Sequence, residues 1–157
     1  MVQSNKENNS VYKIGCLGRI SDYRESKDGR ILVNLTGLTR FEIIDEVAND
    51  KLYREFRVNY KIFEEEPSER KIEIDFSSLM DKTKIFFKRN GLLLNWKEFE
   101  KLDQIQKINT LAMISPITTE EKQKLLEAIS LKEKATTLEN IINFYLHEVN
   151  FNNQTVQ

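Results

Sequence analysis

Cysteine and histidine each occur once in this 157-residue sequence, as Cys16 and His147. A lone cysteine excludes a disulfide framework and fits a reducing compartment. A lone histidine excludes a histidine-based triad or a multi-histidine metal site within one chain. His147 reads as a surface residue near the end of the last helix, where a cation suits the helix dipole. Cys16 falls in a predicted strand and reads as a buried structural thiol. No apolar run approaches the ~20 residues that span a bilayer. The opening MVQSNKENNS has no apolar stretch of the signal-peptide kind. The expected location is therefore cytoplasmic, with no membrane partner. An excess of one charge is absent as well. Lysine and arginine number 24 against 25 acidic residues, split 13 to 15 over residues 1–75 and 11 to 10 over 76–157. Nucleic-acid binders carry a basic excess or a basic face, so nucleic acid is disfavoured as a partner. The glycine–lysine loop that cradles nucleotide phosphates is missing, and Gly15-Cys16-Leu17-Gly18 has the wrong spacing for a dinucleotide fingerprint and opens no helix.

What is present is ordinary in amount and uneven in distribution. Apolar residues make up 39% and charged residues 31%, the balance of a globular protein. A chain of this size buries roughly 70% of its unfolded surface and needs no metal or disulfide to fold. Four of the five glycines lie in residues 15–41, GCLGRISDYRESKDGRILVNLTGLTRF, together with four arginines. The first half reads as β. Residues 11–24 are rich in β-branched and aromatic side chains. Asp28-Gly29 then supplies a hairpin turn, since such turns need a positive φ that glycine tolerates. Beyond it Ile31, Val33 and Leu35 alternate with Leu32, Asn34 and Thr36, which predicts a strand with one face inward. Gly37 interrupts the alternation and predicts a bulge or bend. Phe41 and Ile43 continue the strand, and residues 53–63 predict another, with Phe56, Val58 and Tyr60 on one face. The acidic stretch 64–70 reads as an exposed turn.

The second half reads as α. Phe76, Leu79, Met80, Thr83, Phe86 and Phe87 stand at helical spacing, and Asn90-Gly91 gives a stop. Asn95 caps a short helix with Trp96 and Phe99. Residues 104–115 predict a helix carrying Ile105, Ile108, Leu111, Ala112 and Met113, ended by Pro116. Thr118 with Glu121 and Ser130 with Glu133 have the capping-box spacing. The last helix, about 131–149, presents Leu131, Ala135, Leu138, Ile142, Tyr145 and Val149 as one stripe, followed by a frayed tail. The resulting division is a β-rich part over 1–75, a helical part over 76–149 and a tail over 150–157, with a small barrel or strongly coiled sheet in the first. Glu64, Glu65 and Glu66 read as a solvated charge run rather than a metal site. Phe86, Phe87 and Trp96 read as core rather than as an aromatic ligand box.

Gly15-Cys16-x-Gly18-Arg19-Ile20, then Asp28-Gly29-Arg30, then Leu35-x-Gly37-x-x-Arg40-Phe41 resembles the N-terminal, substrate-binding domain of the Lon proteases, and especially the small bacterial proteins that carry this domain alone. Trp96 after a helix-stop glycine, Leu111-Ala112-Met113 before Pro116, and Glu121-Lys122-Gln123-x-Leu125-Leu126-Glu127-Ala128 resemble the same group, over residues 11–146. The resemblance implies an α+β fold: a PUA-like coiled β-sheet or pseudo-barrel over residues ~11–64, followed by a helical bundle over ~76–149. It implies that Gly18 and Gly37 let the strands coil, that Gly29 makes the turn, and that Arg19, Arg30 and Arg40 pair with nearby carboxylates or carbonyls to hold the register. Asp28 and Phe41 complete the motif, with a structural role expected for all nine residues. The family's first strands and following helix have no counterpart before Gly15, which implies a shortened domain or a start further upstream. A shortened sheet would leave an edge open to self-association. The P-loop and serine–lysine dyad of full Lon proteases are absent from the sequence, so no catalytic residue, metal or cofactor is expected. The function implied is a non-catalytic polypeptide-binding module, with unfolded or tagged polypeptides and a separate protease as expected partners. An RNA-binding PUA-like module is the alternative.

Overall fold

The computed structural model describes residues 1–5, 10–64 and 75–152, with the backbone alone for residues 64 and 148–152. Two compact units divide the chain, Met1–Ser68 and Glu69–Gln157. The first is β. Strands β1 (Ser4–Asn5) and β2 (Ser10–Val11) form a short antiparallel pair. Strands β3 (Ile14–Glu25), β4 (Ile31–Val47) and β5 (Glu55–Asn59) form an antiparallel sheet in that order. With the helices that follow, the fold is α+β, as expected. The described strands form an open, bulged sheet and no closed barrel.

The β3–β4 hairpin turns at Ser26–Arg30. The Gly29 N–H donates to the Ser26 carbonyl at 2.9 Å and the Ser26 N–H to the Arg30 carbonyl at 2.8 Å. Gly29 has φ +78, so the turn uses one left-handed residue after a tight turn rather than two. Two extra residues interrupt the ladder. Leu38 is added on β4 beside Gly37, and Ser21 on β3 between Ile20 and Asp22.

These bulges decide which side chains share a face. Ser21 brings Ile20 and Tyr23, three apart in sequence, onto the face that Ile31, Val33 and Leu35 occupy across the ladder, through the pairs Ile20–Leu35 and Tyr23–Val33. Leu38 has the opposite effect on β4. It puts Phe41, which pairs with Gly15, on the other face from Leu35. The sequence reads Ile31, Val33 and Leu35 as one inward face, interrupted by a bulge or bend at Gly37 and continued by Phe41 and Ile43. In the structure the row is split: Phe41 is buried, whereas Ile31, Val33 and Leu35 are exposed.

The strand expected over 53–63 stops at Asn59. Its side-chain oxygen accepts from the Lys61 N–H at 3.1 Å and starts the short helix α1 (Lys61–Glu64). That turn tucks Phe63 inside, under the guanidinium of Arg40, 4.3 Å from the ring centroid. Phe41 meets Tyr60 edge-on, with centroids 6.3 Å apart. The acidic stretch 65–70 lies outside the described residues, as does the Glu64 side chain.

The second unit is helical: α2 (Ser77–Arg89), α3 (Trp96–Phe99), α4 (Gln104–Ile114), α5 (Thr119–Glu127) and α6 (Leu131–Asn152). Its core gathers Leu79, Phe86, Phe87, Phe99, Ile108, Leu111, Leu125, Leu138 and Ile142. Helix α2 ends as its sequence predicts. The Leu92 N–H reaches the Phe87 carbonyl at 2.9 Å and the Gly91 N–H the Lys88 carbonyl at 3.3 Å, with Gly91 at φ +67, which is the Schellman arrangement. Thr118 and Glu121 cap α5 reciprocally. At α6 the Ser130 hydroxyl accepts from the Glu133 N–H at 3.1 Å, but Glu133 reaches back to the Ile129 N–H instead of that of Ser130. A further box, Asp103 with Gln106, caps α4. On α4 Ile105 and Met113 face solvent, leaving Ile108 and Leu111 as the buried pair. Helix α6 continues through Asn152, so Phe151 and Asn152 are helical rather than frayed; residues 153–157 and the Val149 side chain lie outside the described set. Among the described residues no helix is long and apolar enough to cross a membrane.

Candidate functional site

The nine motif residues spread along the hairpin and do not converge on one cleft. At the tip Asp28 and Arg30 lock the turn. The Arg30 Nε donates to Asp28 Oδ2 at 2.7 Å and the Arg30 N–H to Asp28 Oδ1 at 3.2 Å. The Arg30 side chain, then its backbone N–H, hold the Asp28 carboxyl below the usual range. In the middle Gly18 pairs with Gly37 at the Leu38 bulge, and Arg19 pairs across the ladder with Thr36. At the base Gly15 faces Phe41, and Arg40 stacks on Phe63.

The three arginines thus behave differently. Arg30 finds a carboxylate and Arg40 an aromatic face, while Arg19 makes no ion pair among the described residues. The glycines also differ. A Cβ on Gly15 would lie 2.6 Å from Phe41 Cζ, whereas one on Gly18 meets nothing closer than 3.6 Å and one on Gly37 sits 3.4 Å from Cys16 Sγ. Close approach therefore dictates glycine at 15, and backbone conformation dictates it at 29. Room for a side chain exists at 18 and 37.

Beyond β5's reach the hairpin is a two-stranded ribbon, since β5 pairs only with Glu42–Val47 of β4. One face of the ribbon carries Ile20, Tyr23, Ile31, Val33 and Leu35, each 44–70% exposed. The other carries Arg19, Asp22, Arg24, Asn34 and Thr36 around Leu32, with Arg24 and Asp22 paired at 3.4 Å. Met1 covers the outer edge of β3 at its base: the Cys16 N–H donates to the Met1 carbonyl at 3.0 Å, and the Met1 amino group to the Cys16 carbonyl at 2.7 Å. An exposed apolar face rimmed by charge is the mark of an interaction surface, and no single residue of it signals this in sequence. The alternation was legible; its exposure depends on the bulges.

Other sequence candidates are accounted for separately. Cys16 is half-buried rather than buried, with its thiol 3.6 Å from the Leu17 carbonyl. His147 is exposed on α6. Among the described residues no cluster of three metal-ligating side chains exists. Phe86 and Phe87 belong to the helical core, in a row of rings that runs from Tyr145 through Phe86, Phe87 and Trp96 to Phe99. Trp96 is only half-buried and borders a surface cleft.

A bulged ribbon with an exposed apolar face is the candidate surface for contact with another molecule. Comparison with known families narrows this: the chain belongs to the ATP-dependent protease La (LON) substrate-binding domain family, whose sequence model matches residues 1–143. A curated relative, the Lon protease of Flavobacterium johnsoniae, is 28% identical over 151 residues. The match covers 91% of this chain and 18% of that protein, so the chain spans less than a fifth of the relative's length. The alternative expectation of an RNA-binding module finds no support in either comparison.

Proposed function

We propose that this protein is a non-catalytic module that holds unfolded or tagged polypeptides through the apolar face of the β3–β4 ribbon, in the service of protein quality control. The carrying observation is that face: five neighbouring apolar side chains, all substantially exposed, on a strand pair with open edges. An extended client would gain backbone hydrogen bonds at an edge and side-chain burial on the face. The charged residues of the opposite face and tip, among them Arg19, Arg24 and Arg30, keep the ribbon from pairing indiscriminately. In this reading residues 1–75 do the recognising and the helical part begins at 76, its last helix running on through Asn152. A separate protease, or a second copy pairing at the same edge, is the natural companion.

The test is a titration of the protein against a reduced, alkylated client and against the native form of the same client. The unfolded form binds and the native form does not. Tyr23→Asp with Val33→Asp weakens binding by about tenfold or more and leaves the helical unit folded. Equal affinity for both forms, or an unaffected double variant, refutes the reading.

A further inference from the structure

The helical unit carries a second recognition feature that the ribbon does not explain. A cleft of about 400 Å³ opens between the C-terminal half of α2 and the segment that follows it, lined by Phe87, Leu92, Leu94 and Trp96 with Lys84 and Lys88 at one rim. The size is that of a small ligand site. Its floor is apolar and aromatic, and Leu93 stands fully exposed beside it. The two lysines sit one helical turn apart and are both exposed; neither is paired with a carboxylate among the described residues. The Lys84 ammonium lies 5.6 Å from the Trp96 ring centroid, so it leans over the cleft rather than away from it. A helix C-terminus ordinarily repels anions. Here three of the last four carbonyls of α2 are occupied: Phe86 accepts from the Asn90 backbone and side chain, Phe87 from Leu92, and Lys88 from Gly91. What the cleft presents to an incoming group is therefore two cations above an apolar floor.

We propose that this cleft binds an acidic–apolar peptide segment, in which one bulky apolar side chain lies against Leu92, Leu94 and Trp96 while flanking carboxylates meet Lys84 and Lys88. The charge arrangement selects this occupant: a purely apolar segment leaves both ammonium groups without a counter-charge, and a basic one is repelled. The site is separate from the ribbon, takes a different chemistry, and stands or falls independently of it.

Trp96 is the chain's single tryptophan, so intrinsic fluorescence reads the cleft directly. The probe is the peptide Glu-Asp-Leu-Phe-Asp-Glu, titrated into the full chain, beside its amide counterpart with Gln and Asn at the acidic positions. The acidic peptide shifts Trp96 emission saturably, and the shift weakens as salt rises. Lys84→Gln with Lys88→Gln lowers affinity by about tenfold, roughly threefold per exposed ion pair, with an unchanged circular dichroism spectrum. Leu93→Asn, at a fully exposed position, also weakens binding. The ribbon variant Tyr23→Asp with Val33→Asp responds as wild type, which separates this result from the reading of the ribbon. Coincident curves for the acidic and amide peptides, no emission change at saturating peptide, or octanoate displacing the peptide with higher affinity would each overturn the proposal.

Discussion

Gly15→Ala adds one carbon at the most crowded point of the β unit. The new Cβ lands 2.6 and 2.7 Å from Phe41 Cζ and Cε2 and 2.9 Å from the Met1 carbonyl oxygen. Carbon atoms rest about 3.5–4.0 Å apart, so the ring must retreat by about 1 Å. It has little freedom to do so, being 6% exposed and edge-packed on Tyr60. Overpacking of this kind costs about 1–3 kcal/mol. Alanine recovers about 0.5–1 kcal/mol over glycine in a strand, which leaves a net loss of about 1.3 kcal/mol at the midpoints of the two ranges. That corresponds to roughly tenfold faster opening, read as amide hydrogen exchange of β3 and β4 by mass spectrometry. Two companions separate the mechanisms. Gly29→Ala meets nothing within 4 Å but must hold φ +78, at a cost of about 1–2 kcal/mol. Gly37→Ala has neither problem and leaves exchange unchanged or slower. Phe41→Leu in the Gly15→Ala background reduces the alanine's penalty, because the two share one contact. Wild-type exchange in Gly15→Ala, or faster exchange in Gly37→Ala, refutes this account of the hairpin.

Two further predictions concern the helical unit. Ser115 is fully buried and its hydroxyl has no hydrogen-bond partner among the described residues; Ser115→Ala therefore leaves stability unchanged or raises it by about 1 kcal/mol, and a lower urea midpoint would contradict this. The Glu139 carboxyl on α6 accepts from the Lys82 ammonium at 2.6 Å and the Ser78 hydroxyl at 2.7 Å, and those bonds, Lys82 first, hold it below the usual range. Since the folded state depresses this carboxyl, its stabilisation is complete above the unfolded value near 4.5 and is lost as pH falls through the lower folded value. The difference in urea midpoint between wild type and Glu139→Gln is accordingly constant near neutrality and shrinks on acidification below about pH 4.5; a difference independent of pH refutes the linkage.

What could be read from the sequence was what neighbours in sequence determine. Thr118 with Glu121, and Asn90-Gly91, form their caps within a few residues, and the structure has both. The hairpin turn at Asp28-Gly29 is local in the same sense. Asn59 stopped a strand that pattern alone carried on to residue 63, because a side-chain oxygen competing for the Lys61 N–H is invisible to hydrophobic periodicity. The reason for glycine at 15 was hidden because Phe41 opposes it only after pairing. The cleft was hidden for a related cause. Helical spacing assigned Phe87 and Trp96 to the core, which holds for Phe87, but the half-exposure of Trp96 follows from the path of residues 91–95. Lys84 and Lys88, spaced one turn apart beside that cleft, were the available signal.

Ser21 and Leu38 are one extra residue on each strand of the same hairpin, and they offset each other. Base and tip keep a common alignment, and only the pairs Gly18–Gly37, Arg19–Thr36 and Ile20–Leu35 are displaced between them. Loss of either extra residue alone would leave the two ends out of step and turn one end's side chains over. Loss of both together would straighten the ribbon and keep the ends aligned, so these two positions can vary only in concert.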